Sequence, residues 1–83
     1  MSSSGKYIVG KLNSGEVTAL CFNDLVRHDT FKNLFLKIYG AGFFCVNEDG
    51  KSVSAVGESI SLNVKSREKE DAVEICYVLG ITL

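Results

Sequence analysis

The stretch DLVRHDTFKNLFLKIYGAG, residues 24–42, decides the fold, because whatever it forms must join two segments that read as hairpins. His28, Phe31, Leu34, Phe35 and Ile38 recur at steps of three and four, the spacing of one face of a helix. Asn23 or Asp24 offers a side-chain oxygen to the first free N–H groups, so the spacing predicts one helix from about Asp24 to Phe35. Its weak point is Asp29-Thr30, a second cap at which polar side chains compete with the backbone and could split it into a short turn and a later helix. Gly40-Ala41-Gly42 ends the segment.

Upstream, KYIVGKL (residues 6–12) and EVTALCF (residues 16–22) are rich in β-branched and aromatic residues and are joined by Asn13-Ser14-Gly15, the signature of a hairpin. Downstream, GFFCVN (42–47) and KSVSAVG (51–57) form a second hairpin, with Asp49-Gly50 supplying its turn. Beyond Gly57 the apolar parity changes: Val53 and Ala55 are odd-numbered, whereas Ile60, Leu62 and Val64 are even. A strand cannot change faces without an inserted residue, and Gly57 is the natural bulge. Ser66 then caps a helix through Leu79, with Ala72, Ile75, Cys76 and Leu79 as its buried stripe and Gly80 just past its end. The expected fold class is therefore α+β: a two-layer ββαββα sandwich, mainly antiparallel sheet, with both helices on one face. Residues 1–5 are expected to be a flexible N-terminal tail and residues 6–83 a single domain.

A chain of 83 residues removes only about 60–65% of its unfolded surface from water, so its stability margin is narrow. Self-association as a symmetric homodimer would supply further burial. The apolar share of 46% and charged share of 23% are those of a globular protein rather than a disordered one. A net charge of −1 disfavours nucleic acid as the main partner, since neutralising a polyanion requires a basic surface. Five cations face three anions through Ala41 and four face seven beyond it, a mild asymmetry that an ordinary solvated surface explains. Cys21, Cys45 and Cys76 lie far apart inside apolar segments, which argues against disulfides and structural zinc and suits a reducing cytoplasm. Nothing reads as a signal peptide or a membrane span, and no cofactor motif is present.

Few residues invite chemistry. Ser66 with Lys65, Arg67 and Lys69 at a helix start could hold an anion. Glu68, Glu70 and Asp71 crowd the same turns and no glycine-rich loop precedes them, so helix capping is the stronger reading. The glycines at 40 and 42 precede a strand and do not match a nucleotide-binding fingerprint. His28, the single histidine, lies on the apolar stripe, where a backbone-bonded imidazole is a simpler expectation than a catalytic one. Tyr7, Phe43 and Phe44 sit on strands as in sheets that stack single-stranded nucleic acid, but no basic residues interleave with Phe43 and Phe44.

His28-Asp29, Ala41-Gly42-Phe43, Gly57-x-Ser59-x-Ser61-Leu62 and Ser66-Arg67-x-x-x-Asp71-Ala72 together resemble small uncharacterised proteins of bacteriophages and bacterial mobile elements, over roughly residues 6–80. The resemblance carries no catalytic residue, metal or cofactor. It implies a host-directed or phage-regulatory binding role. The expectation is thus a non-enzymatic, cytoplasmic interaction module with a protein partner or a second copy of itself. The alternative is a weak nucleic-acid or nucleotide binder through Lys65, Ser66, Arg67 and Lys69, and a cysteine-dependent enzyme ranks behind both.

Overall fold

The computed structural model describes residues 4–48 and 50–81. The elements are β1 (Ser4–Leu12), β2 (Val17–Phe22), a 3-10 helix (His28–Leu34), β3 (Phe35–Val46), β4 (Val53–Val56), β5 (Glu58–Ser59), β6 (Val64–Lys65) and α1 (Lys69–Leu79). The first four strands form an antiparallel sheet in the order β2-β1-β3-β4, and β5 and β6 make a separate two-stranded pair. The chain is a small α+β domain with a mainly antiparallel sheet and two helices. Ser4 and Gly5, expected in a tail, pair with Cys45 and Phe44, while residues 1–3 lie outside the described residues. No helix among the described residues is long and apolar enough to cross a membrane.

Both expected hairpins form. The first closes through Leu12 N–H to Glu16 O at 2.7 Å and Gly15 N–H to Leu12 O at 2.8 Å. The second closes through Asn47 N–H to Ser52 O at 2.9 Å and Gly50 N–H to Asn47 O at 2.8 Å; Asp49, expected beside Gly50 in this turn, lies outside the described residues. After β4, Gly57 takes φ +80°, a conformation that a Cβ disfavours, and the chain leaves the sheet for the β5–β6 pair. The parity change thus marks the end of a strand rather than a bulge within one.

The helix expected over Asp24–Phe35 is not an α-helix. Asn23 Oδ1 accepts from Leu25 N–H at 2.8 Å and Asn23 O from Val26 N–H at 3.0 Å, which closes a separate turn. Arg27 is then extended, at φ −74° and ψ 143°, and its guanidinium grips Asp29. Only His28–Leu34 winds, as a 3-10 helix, and from Phe35 the chain runs as a 12-residue strand. The helix-like spacing has a different cause. Register shifts between Val9 and Gly10 and between Lys11 and Leu12 leave Tyr39 and Leu36 as extra residues in β3. Each bulge converts a step of two into a step of three, so Phe35, Ile38 and Ala41 all reach one face.

The two helices cover opposite faces of the sheet, not one. Tyr7, Val9, Ala19, Phe44 and Ala55 bury against Ile75 and Ala72 of α1. Ile8 and Ala41, of the other parity, bury with Phe35, with Phe31 of the 3-10 helix, and with Leu62 and Val64. Tyr7, Ile8 and Val9 are accordingly all fully buried, and the unbroken apolar run YIV is what a strand covered on both sides requires. α1 begins at Lys69, three residues after the expected cap, and ends at Gly80, whose φ of +74° closes it as expected. Ile75 and Cys76 are buried, whereas Leu79, expected in the stripe, is 41% exposed.

Candidate functional site

The polar residues before α1 form one internally satisfied network. Asp71 is fully buried, and its Oδ2 accepts from the Tyr7 hydroxyl at 2.7 Å and from Arg67 N–H at 2.8 Å. Its Oδ1 accepts from Arg67 Nε at 2.7 Å and forms an ion pair with Arg67 Nη2, also at 2.7 Å. The Tyr7 phenol has one proton, and with that on Asp71 its oxygen accepts from Ser66 Oγ, 2.6 Å away. Ser66 Oγ itself accepts from Glu68 N–H at 3.0 Å. Burial, with Asp71 adding to it, pushes the Tyr7 phenol far above its ordinary value and keeps it a donor. Space for the carboxylate comes from Gly40, where a Cβ would fall 2.7 Å from Asp71 Cγ. The Arg67 guanidinium then lies 5.4 Å from the centroid of Tyr39, one of the two extra residues of β3.

This arrangement assigns the four seam residues different places. Ser66 and Arg67 are held by the network, and Arg67 has its fork on an internal carboxylate. Lys65 is exposed opposite Glu58 in the β5–β6 pair, and Lys69 is exposed beside a shallow hollow along β4. They do not converge as an anion cradle with a vacant guanidinium. Asp71, whose fully buried carboxylate organises the seam, stands in the sequence as one of several acids in the first turns and as a member of the Ser66-Arg67-x-x-x-Asp71-Ala72 motif, with no sign of its burial.

His28 lies on the other face, where it opens a cleft. It is buried, and its Nε2 is 2.8 Å from Gly42 O. A carbonyl only accepts, so Nε2 carries the proton and Nδ1 is left as an acceptor. The rings of Phe22 and Phe43 meet the imidazole edge-on at 5.6 and 5.9 Å. Burial is the main cause that lowers the His28 pKa, with the nearby Lys6 ammonium adding to it and the Gly42 bond and Asp29 opposing. Around His28, Lys6, Arg27, Phe43, Gly57, Glu58, Ile60 and Ser61 line an open cleft of about 550 Å³, within the range of natural ligand pockets.

Of the candidate binding residues Lys65, Ser66, Arg67, Lys69 and His28, only His28 belongs to this cleft, joined there by Phe43, which the sequence offers as a stacking aromatic. Its walls come from β1, from the middle of β3 and from the segment after Gly57, which the long connection brings together. One signal was available: Lys6 shares its parity with Ile8, so a lysine stands on a strand face that is otherwise apolar. Among the described residues the sole hydrogen-bond partner of His28 is the Gly42 carbonyl, and no group of three or more His, Cys, Asp or Glu side chains is placed to hold a metal ion. All three cysteines are free, and burial pushes the Cys21 thiol up to about 11. No family model, curated protein or solved structure matches this chain.

Proposed function

We propose that this chain is a non-enzymatic interaction module, working in the cytoplasm, whose cleft between β1, β3 and the β5–β6 pair receives an apolar part of a protein partner. One observation carries the reading: large apolar side chains stay in water around the cleft, with Phe43 41% and Ile60 90% exposed, and Val56 exposed opposite Phe43 in the next strand. A small domain short of core leaves such groups out of its interior at a cost in solubility, and contiguous exposed apolar surface marks interaction sites. Supporting it, His28 is bonded to a main-chain carbonyl rather than to a nucleophile. The resemblance to bacteriophage and mobile-element proteins favours a host protein as partner. Self-association as a homodimer belongs to the same reading, through the exposed Val17, Val73 and Tyr77 beside α1.

The test is affinity capture by the wild-type chain and by the Phe43→Ser and Ile60→Glu variants, each checked for an unchanged melting temperature, with sedimentation for self-association. A partner retained by the wild type and released by both variants is expected; equal capture by all three refutes the reading. The alternative, weak nucleic-acid or anion binding through the Lys65–Lys69 segment, has lost Arg67 and Ser66 to the network and retains the exposed Lys65 and Lys69. Oligonucleotide binding at low salt that weakens steeply as salt rises would favour it instead.

A further inference from the structure

Resting on that reading of the cleft, we infer that its occupant is a peptide segment of a protein partner in which a large apolar side chain stands next to a carboxylate, with Lys6 as the counter-ion. The charge around the cleft leads there. Arg27 is already held by Asp29, through Nε to Oδ1 at 3.2 Å and Nη2 to Oδ2 at 3.0 Å. Glu58 stands opposite Lys65 across the β5–β6 pair, a placement at which opposite charges attract, without an ion pair of 4 Å or less between them. Lys6 has no such compensation: among the described residues no carboxylate lies within ion-pair distance of it. Its side chain is half-buried, with Phe22 and Phe43 directly opposite on the neighbouring strands, so its ammonium is less hydrated than one at an open surface.

A half-buried, uncompensated ammonium at the wall of an apolar cleft attracts an anion more strongly than a solvated lysine does, because the local dielectric is lower. A carboxylate fits better than a phosphate. A lysine binds phosphate as a point charge, but tight phosphate sites add to it a guanidinium fork or a row of backbone N–H groups. The Arg27 fork is occupied, and no helix of useful length begins at the cleft, where the 3-10 helix has seven residues. The apolar neighbour of the carboxylate would lie against Phe43 and Ile60, with the Ser61 hydroxyl as a further polar group at the rim.

The experiment is an amide chemical-shift titration of the full chain with three peptides identical except at one position beside a phenylalanine, where they carry Asp, Asn or Lys, and with 3-phenylpropionate alone. Shifts confined to Lys6, Phe43, Gly57, Ile60 and Ser61 are expected, with the Asp peptide binding about tenfold tighter than the Asn peptide. Lys6→Met should bring that ratio to one while leaving the apolar binding in place. Equal binding of the Asp and Asn peptides, or tighter binding of the Lys peptide, overturns this inference and leaves the docking reading standing. Binding of 3-phenylpropionate as tight as the Asp peptide also overturns it, in favour of a small-molecule acid. Absence of shifts with every probe overturns both.

Discussion

Replacing Asp71 by Asn tests the central contact between sheet and helix, because it keeps the shape and removes an acceptor. The carboxylate takes three hydrogen bonds, two at Oδ2 and one at Oδ1, and Oδ1 also makes an ion-pair contact with Arg67 Nη2. An amide placed with its NH2 at the Oδ1 position points two donors at the Arg67 guanidinium. Turned over, it points them at the Arg67 main-chain N–H and at Tyr7. Tyr7 can rotate its proton away, but the main-chain N–H cannot, so neither orientation satisfies the site. Removing one partner of a buried pair costs about 3–5 kcal/mol. The Arg67 side chain is 35% exposed and can turn partly to water, which selects the lower figure, about 3 kcal/mol. For a domain of this size that lowers the melting temperature by about 12–24 °C, measured by circular dichroism near neutral pH. Glu70→Gln, one residue away and exposed, should move it by less than about 3 °C. An Asp71→Asn protein melting within about 4 °C of the wild type would refute the claim that this carboxylate holds α1 to the sheet.

His28 and the thiols give further tests. Burial lowers the His28 pKa below its ordinary 6.5, so below that pH the unfolded chain binds a proton that the folded chain resists; the stability is full above about 6.5 and is lost as the pH falls through it. The wild-type melting temperature should therefore drop between about pH 7.5 and pH 5.5 by more than that of His28→Gln, and equal slopes would count against a neutral buried imidazole. With the Cys21 thiol pushed up to about 11 and Cys76 buried, neither should react with Ellman's reagent in the native protein until denaturant is added. Loss of a rapid native labelling phase in Cys21→Ser would contradict this.

The hairpins, the turn residues and the end of α1 were legible in the sequence because each rests on local chemistry: a glycine at a positive φ, or alternation along a strand. The segment 24–41 differs from the helix expected there for a physical reason. Two bulges in β3 imitate a helical step, and they depend on pairing with β1, which no local window contains. The face was right in part, since Phe31, Phe35 and Ile38 do pack together, but Leu34 of the expected stripe is exposed and the backbone that presents the others is not an α-helix. The position of α1 on the face opposite the 3-10 helix was implied by the unbroken run Tyr7-Ile8-Val9, whose three side chains need cover on both sides. Asp71 looked like a surface acid favouring the helix dipole. Its burial depends on Gly40 and Tyr7, which are remote in sequence, and nothing in its own turn distinguishes it from Glu70. His28 and Phe43 were singled out separately in the sequence, but the cleft that joins them was not legible, because its walls come from separate segments.

The bond between Tyr7 and Asp71 spans 64 residues. During synthesis the first hairpin therefore emerges before the carboxylate to which its phenol donates, and until residue 71 has been translated that proton can go only to water. Until then the face awaiting α1 is open to any passing apolar surface. A ribosome stalled before residue 71 would display a sticky sheet, and degradation or chaperone capture of such nascent chains should fall abruptly once α1 is out.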